Sequence, residues 1–246
     1  MALPAHAKLN LELIVERVRP DGRHDIRTRF QAISLHDLLE LEAAAETTLE
    51  VEGEAPAGED NLVLRAAREL EAAAGRPLPA SIRLHKRIPA GAGLGGGSSD
   101  AAATLRGLSR LHGLELDLLP AAKRLGSDVP FFLCGGGAEA TGAGDELQPR
   151  PAVSEWFAVA WPGYGVSTAA VYAAWDRVGG PDLTPAALDV EPRLKDFQAR
   201  LGERWRMTGS GSAFFSRHLD RRGAEAAVAH LDCWTAVARG IGGWCP

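Results

Sequence analysis

Residues 89–102 read PAGAGLGGGSSDAA, and this glycine-rich stretch decides how the rest of the chain is interpreted. Five of its fourteen residues are glycine, the residue type that loses the most conformational entropy when it is ordered. An alternating strand pattern precedes the stretch and an alanine-rich helical pattern follows it, which argues against a flexible linker. The glycines instead predict a loop whose bare backbone approaches a ligand. Because the N-terminus of a helix attracts anions, that ligand is predicted to carry phosphate.

Three common types of phosphate loop do not fit. A Walker A loop needs a lysine after the glycines, and none is present. Gly91, Gly93 and Gly96 match the GxGxxG pattern, but the preceding strand, SIRLHKRI, alternates with cations rather than being apolar throughout as in dinucleotide-binding folds. A protein kinase would need HRD and DFG motifs, and both are missing. The loop therefore belongs to another class of phosphate site.

The composition narrows the class of protein. The 246 residues are 46% hydrophobic with a net charge of −5, which is ordinary for a globular protein and argues against a nucleic-acid partner. The three cysteines include no CxxC pair, which fits a reducing cytosol and argues against a disulfide scaffold or a zinc site. The N-terminus is unlike a signal peptide, and no apolar run is long enough for a membrane span. We therefore expect a cytoplasmic protein with no membrane partner.

The periodicity of apolar residues predicts an α+β fold. Apolar and polar residues alternate over 5–16, which predicts a half-buried strand, and residues 26–32 predict a second. Further patterns predict strands at 49–51, 81–88, 156–161, 213–216 and 234–239, and helices at 61–75, 98–113, 118–125, 168–178, 194–201 and 224–231. The composition shifts near 144–151. We therefore expect two domains, spanning residues 1–148 and 149–246.

Two further stretches, together with the glycine loop, form a family signature. KLNLELIVERVRPDGRHD at 8–25, PAGAGLGGGSSDAA at 89–102 and MTGSGSAFF at 207–215 resemble the three motifs of the GHMP kinases, in the family's order. The tripled glycine, the KLNL start and GSDVPFF at 126–132 resemble the branch that acts in the non-mevalonate isoprenoid pathway. Three spaced motifs are more specific than any one of them, so the chain is identified as a member of this family.

The resemblance implies both a fold and an activity. It implies an N-terminal domain like domain 2 of ribosomal protein S5 and a ferredoxin-like C-terminal domain, with ATP and Mg²⁺ between them. It also implies direct in-line transfer of the γ-phosphoryl group to the 2-hydroxyl of the methylerythritol unit of a cytidine diphosphate-linked substrate. These small molecules are the expected partners of a monomer or weak homodimer. Another GHMP kinase, such as a homoserine kinase, and a non-catalytic nucleotide-binding module remain as alternatives.

The resemblance assigns catalytic roles to Asp128 and Lys8. Asp128 would be the general base for the acceptor hydroxyl, an effect commonly worth about 10²–10⁴-fold. Lys8 would pair with it, because a nearby cation favours an ionised carboxylate and offsets charge on the attacking oxygen. Without the family, Asp128 would be interpreted as the cap of a turn and Lys8 as a solvated strand residue.

For ATP, the resemblance implies contacts from Asn61 at the adenine, from Lys86 and from the glycine loop. Lys86 falls on the apolar face of its strand, so its alternative is a position at the sheet end with the ammonium group in water. Ser98 or Ser99 is the hydroxyl expected nearest Mg²⁺. No acidic cluster has the spacing of metal ligands, so ATP phosphates and water are expected to hold the metal. The predicted ATP-binding residues of the loop are Pro89, Ala90, Gly91, Ala92, Gly93, Leu94, Gly95, Gly96, Gly97, Ser98 and Ser99.

For the cytidine-linked substrate, the resemblance implies that Asn10 bonds the acceptor and that His24 bonds the cytosine edge. The sequence departs from the family at Arg23, where a tyrosine usually stacks on cytosine; a guanidinium can also stack on a base. Thr168 and Tyr172 lie four residues apart on a predicted helix, with Tyr172 as the other stacking aromatic or, alternatively, a core residue. The third motif would hold phosphate groups through the backbone of Gly209, Ser210 and Gly211, or would be a tight hairpin turn.

Overall fold

The computed structural model of the chain describes residues 1–56 and 58–244, without the side chain of Glu59. Its strands are β1 (Ala2–Val18), β2 (His24–Ala43), β3 (Thr48–Glu52), β4 (Ala80–His85), β5 (Gly137–Thr141), β6 (Glu146–Arg150), β7 (Trp156–Trp161), β8 (Arg206–Met207), β9 (Phe214–His218) and β10 (Trp234–Arg239). Its α-helices are α1 (Leu62–Ala74), α2 (Gly96–Leu111), α3 (Leu119–Leu125), α4 (Phe131–Cys134), α5 (Thr168–Val178), α6 (Thr184–Val190), α7 (Arg193–Leu201) and α8 (Arg221–Val228). A short 3₁₀ helix spans Gly58–Asp60. The predicted α+β class is confirmed.

The first sheet contains the six strands of the N-terminal part of the chain. Its order is β3-β4-β2-β5-β6, and β1 pairs antiparallel with β2 along most of its length. The pairing of β3 with β4 is parallel, whereas the other pairs in this sheet are antiparallel. Helices α1, α2 and α3 cover one face, where Phe30, Leu39, Leu70 and Leu105 are buried in a common core. This arrangement fixes the start of α2 at the end of the loop that follows β4.

The second sheet contains four antiparallel strands in the order β10-β7-β9-β8. Its strand β7 is buried on both faces, because Ala158 and Ala160 pack under helices α5 to α8 while Phe157 and Val159 face the first sheet. A strand with two buried faces is expected to be apolar throughout rather than alternating. The run WFAVAW at 156–161 has this pattern, and the strand predicted there is confirmed.

A third core, which we call the shared core, lies between the two sheets. It contains Ala7, Leu9 and Leu11 of β1, Ile88, Ala92 and Leu94 near the glycine loop, and Phe157, Val159 and Phe215 of the second sheet. Apolar residues of the N-terminal and C-terminal parts of the chain therefore bury one another. The shared core places the glycine loop directly against the strands that follow residue 150.

The environment of β1 differs from the sequence prediction of a half-buried strand. Residues 7–11 are all buried, because one face joins the shared core while the other carries Lys8 and Asn10 into the interior. Register shifts between His6 and Lys8 and between Asn10 and Glu12 also interrupt the alternation. Burial on two faces cannot be predicted from the alternation alone, because polar residues are normally assigned to solvent.

Other element boundaries also differ from the predictions. Strand β2 runs eleven residues past the predicted end at 32, to Ala43, since β1 and β4 both pair with its second half. Strands β5, β6 and β8 and helices α4 and α6 were not predicted. Helix α2 begins at Gly96 rather than near Ser98, because the left-handed backbone of Gly95 (φ 72°) ends the loop there.

The state of the cysteines also differs from the prediction. Cys134 is disulfide-bonded, which contradicts the expectation of reduced cysteines, whereas Cys233 is a free thiol.

Within the described residues, no helix has the length and apolar character needed to span a membrane.

Candidate active site

A cavity of about 950 Å³ opens between the glycine loop, the start of β1 and β2, and helix α5. Its size is at the upper end of the range for small-molecule sites. It brings together residues that lie far apart in the sequence. The predicted residues that line it are Lys8, Asn10, Arg23, His24, Asn61, Lys86, Pro89, Ala90, Gly91, Ala92, Gly93, Leu94, Gly95, Gly96, Gly97, Ser98, Asp128, Thr168, Tyr172, Gly209 and Ser210.

The glycine loop presents an uncapped helix end to this cavity. Gly95 is the N-cap of α2, and neither a side-chain hydrogen bond nor an acidic residue occupies the first turn. The first N–H groups of a helix have no partner within the helix, and they carry the positive end of its dipole. Gly91, Gly93 and Gly95 all have positive φ, so the backbone turns repeatedly before it enters α2. The arrangement can bind an anion of the size of a phosphate group.

The third glycine-rich motif packs directly against this loop. A Cβ atom on Gly93 would lie 2.5 Å from the carbonyl oxygen of Thr208 and 2.8 Å from that of Gly211. The backbone N–H of Ala213 donates to the carbonyl of Ala92 at 3.0 Å, so the two segments are also hydrogen-bonded. Gly93 is therefore required both for its left-handed conformation (φ 79°) and for this close approach.

Lys8 and Asp128 form an ion pair in the cavity wall. The Nζ atom of Lys8 lies 3.6 Å from Oδ2 of Asp128, and their side chains are 5% and 31% exposed. Lys8 also donates to Oδ1 of Asn10 at 2.5 Å, so these two side chains of β1 lie on the same side of the strand. Burial lowers the pKa of Lys8, and the charge of Asp128 acts against that shift. The pair joins a partly accessible carboxylate to a cation that is almost excluded from water.

Several contacts hold this pair in place. The backbone N–H of Lys8 donates to the carbonyl of Leu94 at 2.9 Å, which ties β1 to the glycine loop. The amide of Asn10 donates to Oγ1 of Thr28 at 2.8 Å, and its backbone N–H donates to Oγ1 of Thr208 at 3.0 Å. Residues from all three motifs therefore fix the Lys8 ammonium group beside the loop.

Lys86 lies in a buried group of charges at the edge of the cavity. Its Nζ donates to Asp37 and, at 2.8 Å, to Oδ2 of Asp100. Burial acts to lower the pKa of Lys86, but the two carboxylates outweigh it and raise the pKa. Burial raises the pKa of Asp100 to about 7. Because only 6% of the Lys86 side chain is exposed, the alternative that placed its ammonium group in water was wrong.

Asp37 links this group to the loop. Its Oδ1 atom accepts hydrogen bonds from the backbone N–H groups of Arg87 at 2.5 Å and of Ile88 at 2.8 Å. The carboxylate is fully buried and lies on β2, outside every motif that the sequence singled out. Asp37 and Asp100 were both missed, since their partner Lys86 is 49 residues from one of them and 14 from the other.

A second set of side chains surrounds His24 at the opposite end of the cavity. The ring centroid of His24 lies 4.7 Å from that of Tyr172 and 5.6 Å from that of Trp175, which approaches edge-on. Burial raises the pKa of Tyr172 to about 12, and the charge of Asp128 contributes to the shift. Arg23 lies exposed at the rim. This end therefore combines flat apolar rings with polar edges, a surface that suits a nucleobase.

Thr168 of α5 and Ser210 of the third motif join two segments of the cavity wall. The Oγ1 atom of Thr168 lies 2.8 Å from Oγ of Ser210, a hydrogen bond in which either hydroxyl can donate. Asn61 occupies a different position, since it caps α1 through a 2.9 Å bond from the N–H of Val63 to its Oδ1 and donates through Nδ2 to Pro56. Ser99 and Gly211 are buried and do not line the cavity.

The sequence analysis missed further residues of the cavity wall. Asp176 lies one helical turn after Tyr172 and contacts His24, and Lys123 and Asp145 line the rim. The contact between Asp176 and His24 depends on tertiary structure, because the two residues are 152 positions apart in the sequence. The one available sequence signal was the helical spacing that places Thr168, Tyr172 and Asp176 on one face of α5.

Comparisons with known proteins identify the family of the chain. Residues 61–136 match the model for the GHMP kinases N terminal domain. Over 96% of both chains, the sequence is 41% identical to 4-diphosphocytidyl-2-C-methyl-D-erythritol kinase of Thermus thermophilus. The chain belongs to the GHMP kinase family. A relative of the same name from Methylococcus capsulatus is 38% identical over 96% of this chain and 90% of its own length.

Solved structures support the same assignment for this GHMP kinase. A crystal structure of 4-(cytidine 5'-diphospho)-2C-methyl-D-erythritol kinase superposes with a TM-score of 0.82 at 39% identity, covering 98% of this chain and all of the other. A mevalonate kinase superposes with a TM-score of 0.70 at 13% identity, which shows a shared fold. The predicted GHMP kinase fold is confirmed, and the protein is an ATP-dependent small-molecule kinase.

Proposed function

We propose that this kinase phosphorylates the 2-hydroxyl group of 4-diphosphocytidyl-2-C-methyl-D-erythritol, in the non-mevalonate pathway to isoprenoid precursors. The observation that carries the proposal is the position of the Lys8–Asp128 pair, in one cavity with the uncapped start of α2 and the rings of His24 and Tyr172. The relatives and the solved structure at 39% identity carry the name of this activity.

In this proposal, Asp128 accepts the proton of the acceptor hydroxyl as the oxygen attacks the γ-phosphorus atom. Its side chain is 31% exposed, which leaves the carboxylate open to the cavity. Lys8 lies beside it with little contact with water, where its charge stabilises the attacking oxygen more strongly than it would in solvent. Asn10 positions the acceptor. Transfer is direct and in line, without a phospho-enzyme, so positioning and electrostatics supply most of the catalysis.

The glycine loop, residues 89–97, holds the triphosphate of ATP in this proposal, with Asn61 and Lys86 as further ATP contacts. The uncapped N-terminus of α2 supplies N–H donors, and the absence of Cβ atoms from five positions lets phosphate oxygens approach the backbone. The third motif holds phosphate groups from the other side of the cavity. Gly209 and Ser210 line the cavity wall and contact the phosphates, whereas Gly211 fixes the turn that positions them.

Mg²⁺ also fits this site. Among the described residues, no group of three or more His, Cys, Asp or Glu side chains forms a metal site. However, the Ser98 hydroxyl lines the cavity, and Oδ1 of Asp100 is buried without a hydrogen-bond partner in the part of the chain described. Oxygen atoms of this kind suit Mg²⁺, which keeps much of its water and binds mainly to substrate phosphates. When bound, the ion would neutralise phosphate charge beside Ser98, whereas Ser99 is buried away from the cavity.

The aromatic end of the cavity holds the cytidine moiety in this proposal. Tyr172 stacks on the base, His24 bonds its edge, Thr168 supports the adjacent turn and Arg23 covers the rim in place of the family's tyrosine. This end distinguishes the proposal from a homoserine kinase, whose substrate carries no base.

We further propose that the chain acts in the cytoplasm, where ATP is available, as a monomer or weak homodimer. We also propose that it divides into two domains, at residues 1–148 and 149–246. The division is supported by the two sheets, each of which has its own layer of helices.

A coupled assay of ADP release tests the proposed function. With ATP and Mg²⁺, the enzyme should turn over 4-diphosphocytidyl-2-C-methyl-D-erythritol and leave homoserine and 2-C-methyl-D-erythritol 4-phosphate unreacted. Equal turnover of homoserine would favour another GHMP kinase. Nucleotide binding without ADP release in the presence of any of these acceptors would favour a non-catalytic nucleotide-binding module.

A further inference from the structure

The carboxylate of Asp176 makes a direct contact with His24 that none of the three motifs explains. Oδ1 of Asp176 lies 2.7 Å from Nε2 of His24. Asp176 is in the last part of α5, one turn after Tyr172, and both residues line the cavity. The imidazole is buried, whereas 44% of the Asp176 side chain is exposed. The contact therefore connects a fixed ring to a carboxylate at the cavity surface.

The chemistry of this contact determines which nitrogen of His24 carries a proton. An ionised carboxylate can only accept hydrogen bonds, so the Nε2 atom must donate and must therefore be protonated. In the neutral imidazole, the other nitrogen, Nδ1, is then an acceptor. No hydrogen bond from the described residues reaches Nδ1. The neutral imidazole of His24 would thus offer one free acceptor, in a ring that lines the cavity.

Aromatic contacts confine the plane of the His24 ring. Tyr172 packs at 4.7 Å with an interplanar angle of 34°, and Trp175 approaches edge-on. The indole of Trp175 is itself fixed by a 3.0 Å hydrogen bond from Nε1 to the carbonyl of Gly180. The rings confine the plane of the imidazole, but they do not choose between its two nitrogens. That choice depends on Asp176.

We propose that Asp176 is a positioning residue that holds His24 with Nε2 protonated, so that Nδ1 accepts a hydrogen bond from the exocyclic amino group of the substrate's base. The inference rests on the proposed function and deepens it. An acceptor at this position favours cytosine, which carries an amino group there, and disfavours uracil, which carries a carbonyl oxygen. Asp176 therefore selects the base without touching it.

The exposure of Asp176 separates this role from a structural one. Replacement of a surface carboxylate opens no cavity in the core and leaves the packing of Val171 and Ala174 on the buried face of α5 intact. The expected effect is therefore confined to the base. Asp189 provides a matched control, because it is an aspartate of similar exposure that pairs with Arg177 outside the cavity.

The experiment compares the wild-type enzyme with Asp176→Ala, Asp176→Asn and the control Asp189→Asn. Each is assayed with 4-diphosphocytidyl-2-C-methyl-D-erythritol and with its uridine counterpart. For Asp176→Ala we expect KM for the cytidine substrate to rise about tenfold or more, as for the loss of one well-oriented hydrogen bond. We expect kcat and KM for ATP to stay within about twofold, and the preference for cytidine over uridine to fall by a similar factor to the rise in KM. Asp176→Asn should lie between, because its amide can accept or donate.

Nitrogen-15 NMR of the histidine side chains provides a readout that does not depend on turnover. In the wild-type protein the His24 signals should show a protonated Nε2 and an unprotonated Nδ1, and in Asp176→Ala they should shift toward a mixture of tautomers. Unchanged base preference in Asp176→Ala, or equal changes in kcat and in KM for ATP, would overturn the inference. If the wild-type enzyme does not use the cytidine substrate at all, the proposed function itself fails; the NMR result then decides the role of Asp176 alone.

Discussion

At the scale of single residues, the Lys8 ammonium group is a closely held charge in the cavity wall. It is almost fully buried, it donates to Asn10 at 2.5 Å, and the carboxylate of Asp128 lies 3.6 Å away. Burial lowers the pKa of Lys8, so the fold places this charge where it is costly to desolvate. A cation kept in such a place is expected to serve the reaction rather than stability.

Replacing Asp128 by Asn should reduce kcat at least about a hundredfold, because the amide cannot accept the hydroxyl proton. ATP binding should persist, since the glycine loop is unchanged. Steady-state turnover and a nucleotide titration measure the two effects, with the exposed Asp232→Asn as a control for the loss of one surface carboxylate. Turnover close to that of the wild type would remove Asp128 from the mechanism.

Lys8→Met should separate catalysis from folding. Methionine has a similar shape but no charge, so turnover should fall about a hundredfold or more. The free energy of unfolding should fall only modestly, because removing the desolvation penalty of the buried ammonium group offsets the lost bond to Asn10. Urea denaturation and kinetic assays on the same preparation test both parts. A large loss of stability with normal turnover in the folded fraction would show that Lys8 is a structural residue.

Some residues of the candidate site could be predicted from the sequence, and others could not. Lys8, Asp128 and His24 were predicted because short motifs carry them. Asp37, Asp100 and Asp176 were missed because each acts through a partner that only the tertiary structure brings near. Asn61 was also predicted, but both polar atoms of its amide already bond within the protein, in the cap of α1 and to Pro56. Its contact with the adenine therefore stays a prediction.

At the scale of elements, the start of α2 depends on how closely two turns can approach. Gly93 has positive φ and faces the carbonyls of Thr208 and Gly211, whereas Gly113 has positive φ but open space around it. The two glycines therefore form a natural comparison between backbone conformation alone and conformation combined with close packing.

Gly113→Ala should destabilise the protein by about 1–2 kcal/mol, the usual cost of left-handed backbone for a residue with a Cβ atom. Gly93→Ala should cost more, because its methyl group would also lie 2.5 Å from a carbonyl oxygen, and it should weaken nucleotide binding. Thermal unfolding and titration with a nonhydrolysable ATP analogue measure these effects. Equal destabilisation by the two substitutions would contradict the role assigned to the contact between the turns.

Elements with a single clear pattern were predicted well, and those shaped by neighbours were not. Trp156–Trp161, Thr168–Val178 and Trp234–Arg239 have the predicted bounds. The second half of β2 was missed because His36 and Asp37 interrupt its apolar alternation, although the side chain of Asp37 is buried to bind Lys86. Strands β5 and β6 were missed since their sequences, GAEAT and ELQPR, contain mostly small or polar residues rather than the β-branched and aromatic residues typical of strands.

At the scale of the whole molecule, the two ends of the chain meet around His6. Its ring lies 5.2 Å from that of His36 and 5.3 Å from that of Trp244, and its Nδ1 is 3.2 Å from the carbonyl of Ile33. Burial lowers the pKa of His6 to about 4, and the charges of His36 and Arg106 act in the same direction. The folded protein therefore holds this imidazole neutral.

This shift predicts a pH dependence of stability. Between pH 6.5 and about 4 the unfolded chain binds a proton at His6 that the folded chain does not, so stability should be lost as the pH falls through this window. His6→Gln should show a smaller loss over the same range. Urea denaturation at several pH values measures the slope, and the exposed His230→Gln is the control. Parallel curves for the wild type and His6→Gln would contradict the prediction.

The sequence predicted the fold class of the whole molecule, but not the contacts between its two sheets. The three motifs indicated the family, and the succession of strands and helices indicated the α+β class. The shared core between the sheets could not be predicted, since the pattern of β1 assigned only one of its faces to the interior.

The shared core also limits how the gene could be divided. If the chain were cut near residue 148 and its halves were produced apart, one would present Leu9, Leu11 and Ile88 to water, and the other Phe157, Val159 and Phe215. Each piece would then expose an aggregation-prone apolar surface that the other piece covers in the intact protein. Residues of both pieces line the cavity, so it would form only if the two were produced together and associated before they aggregated.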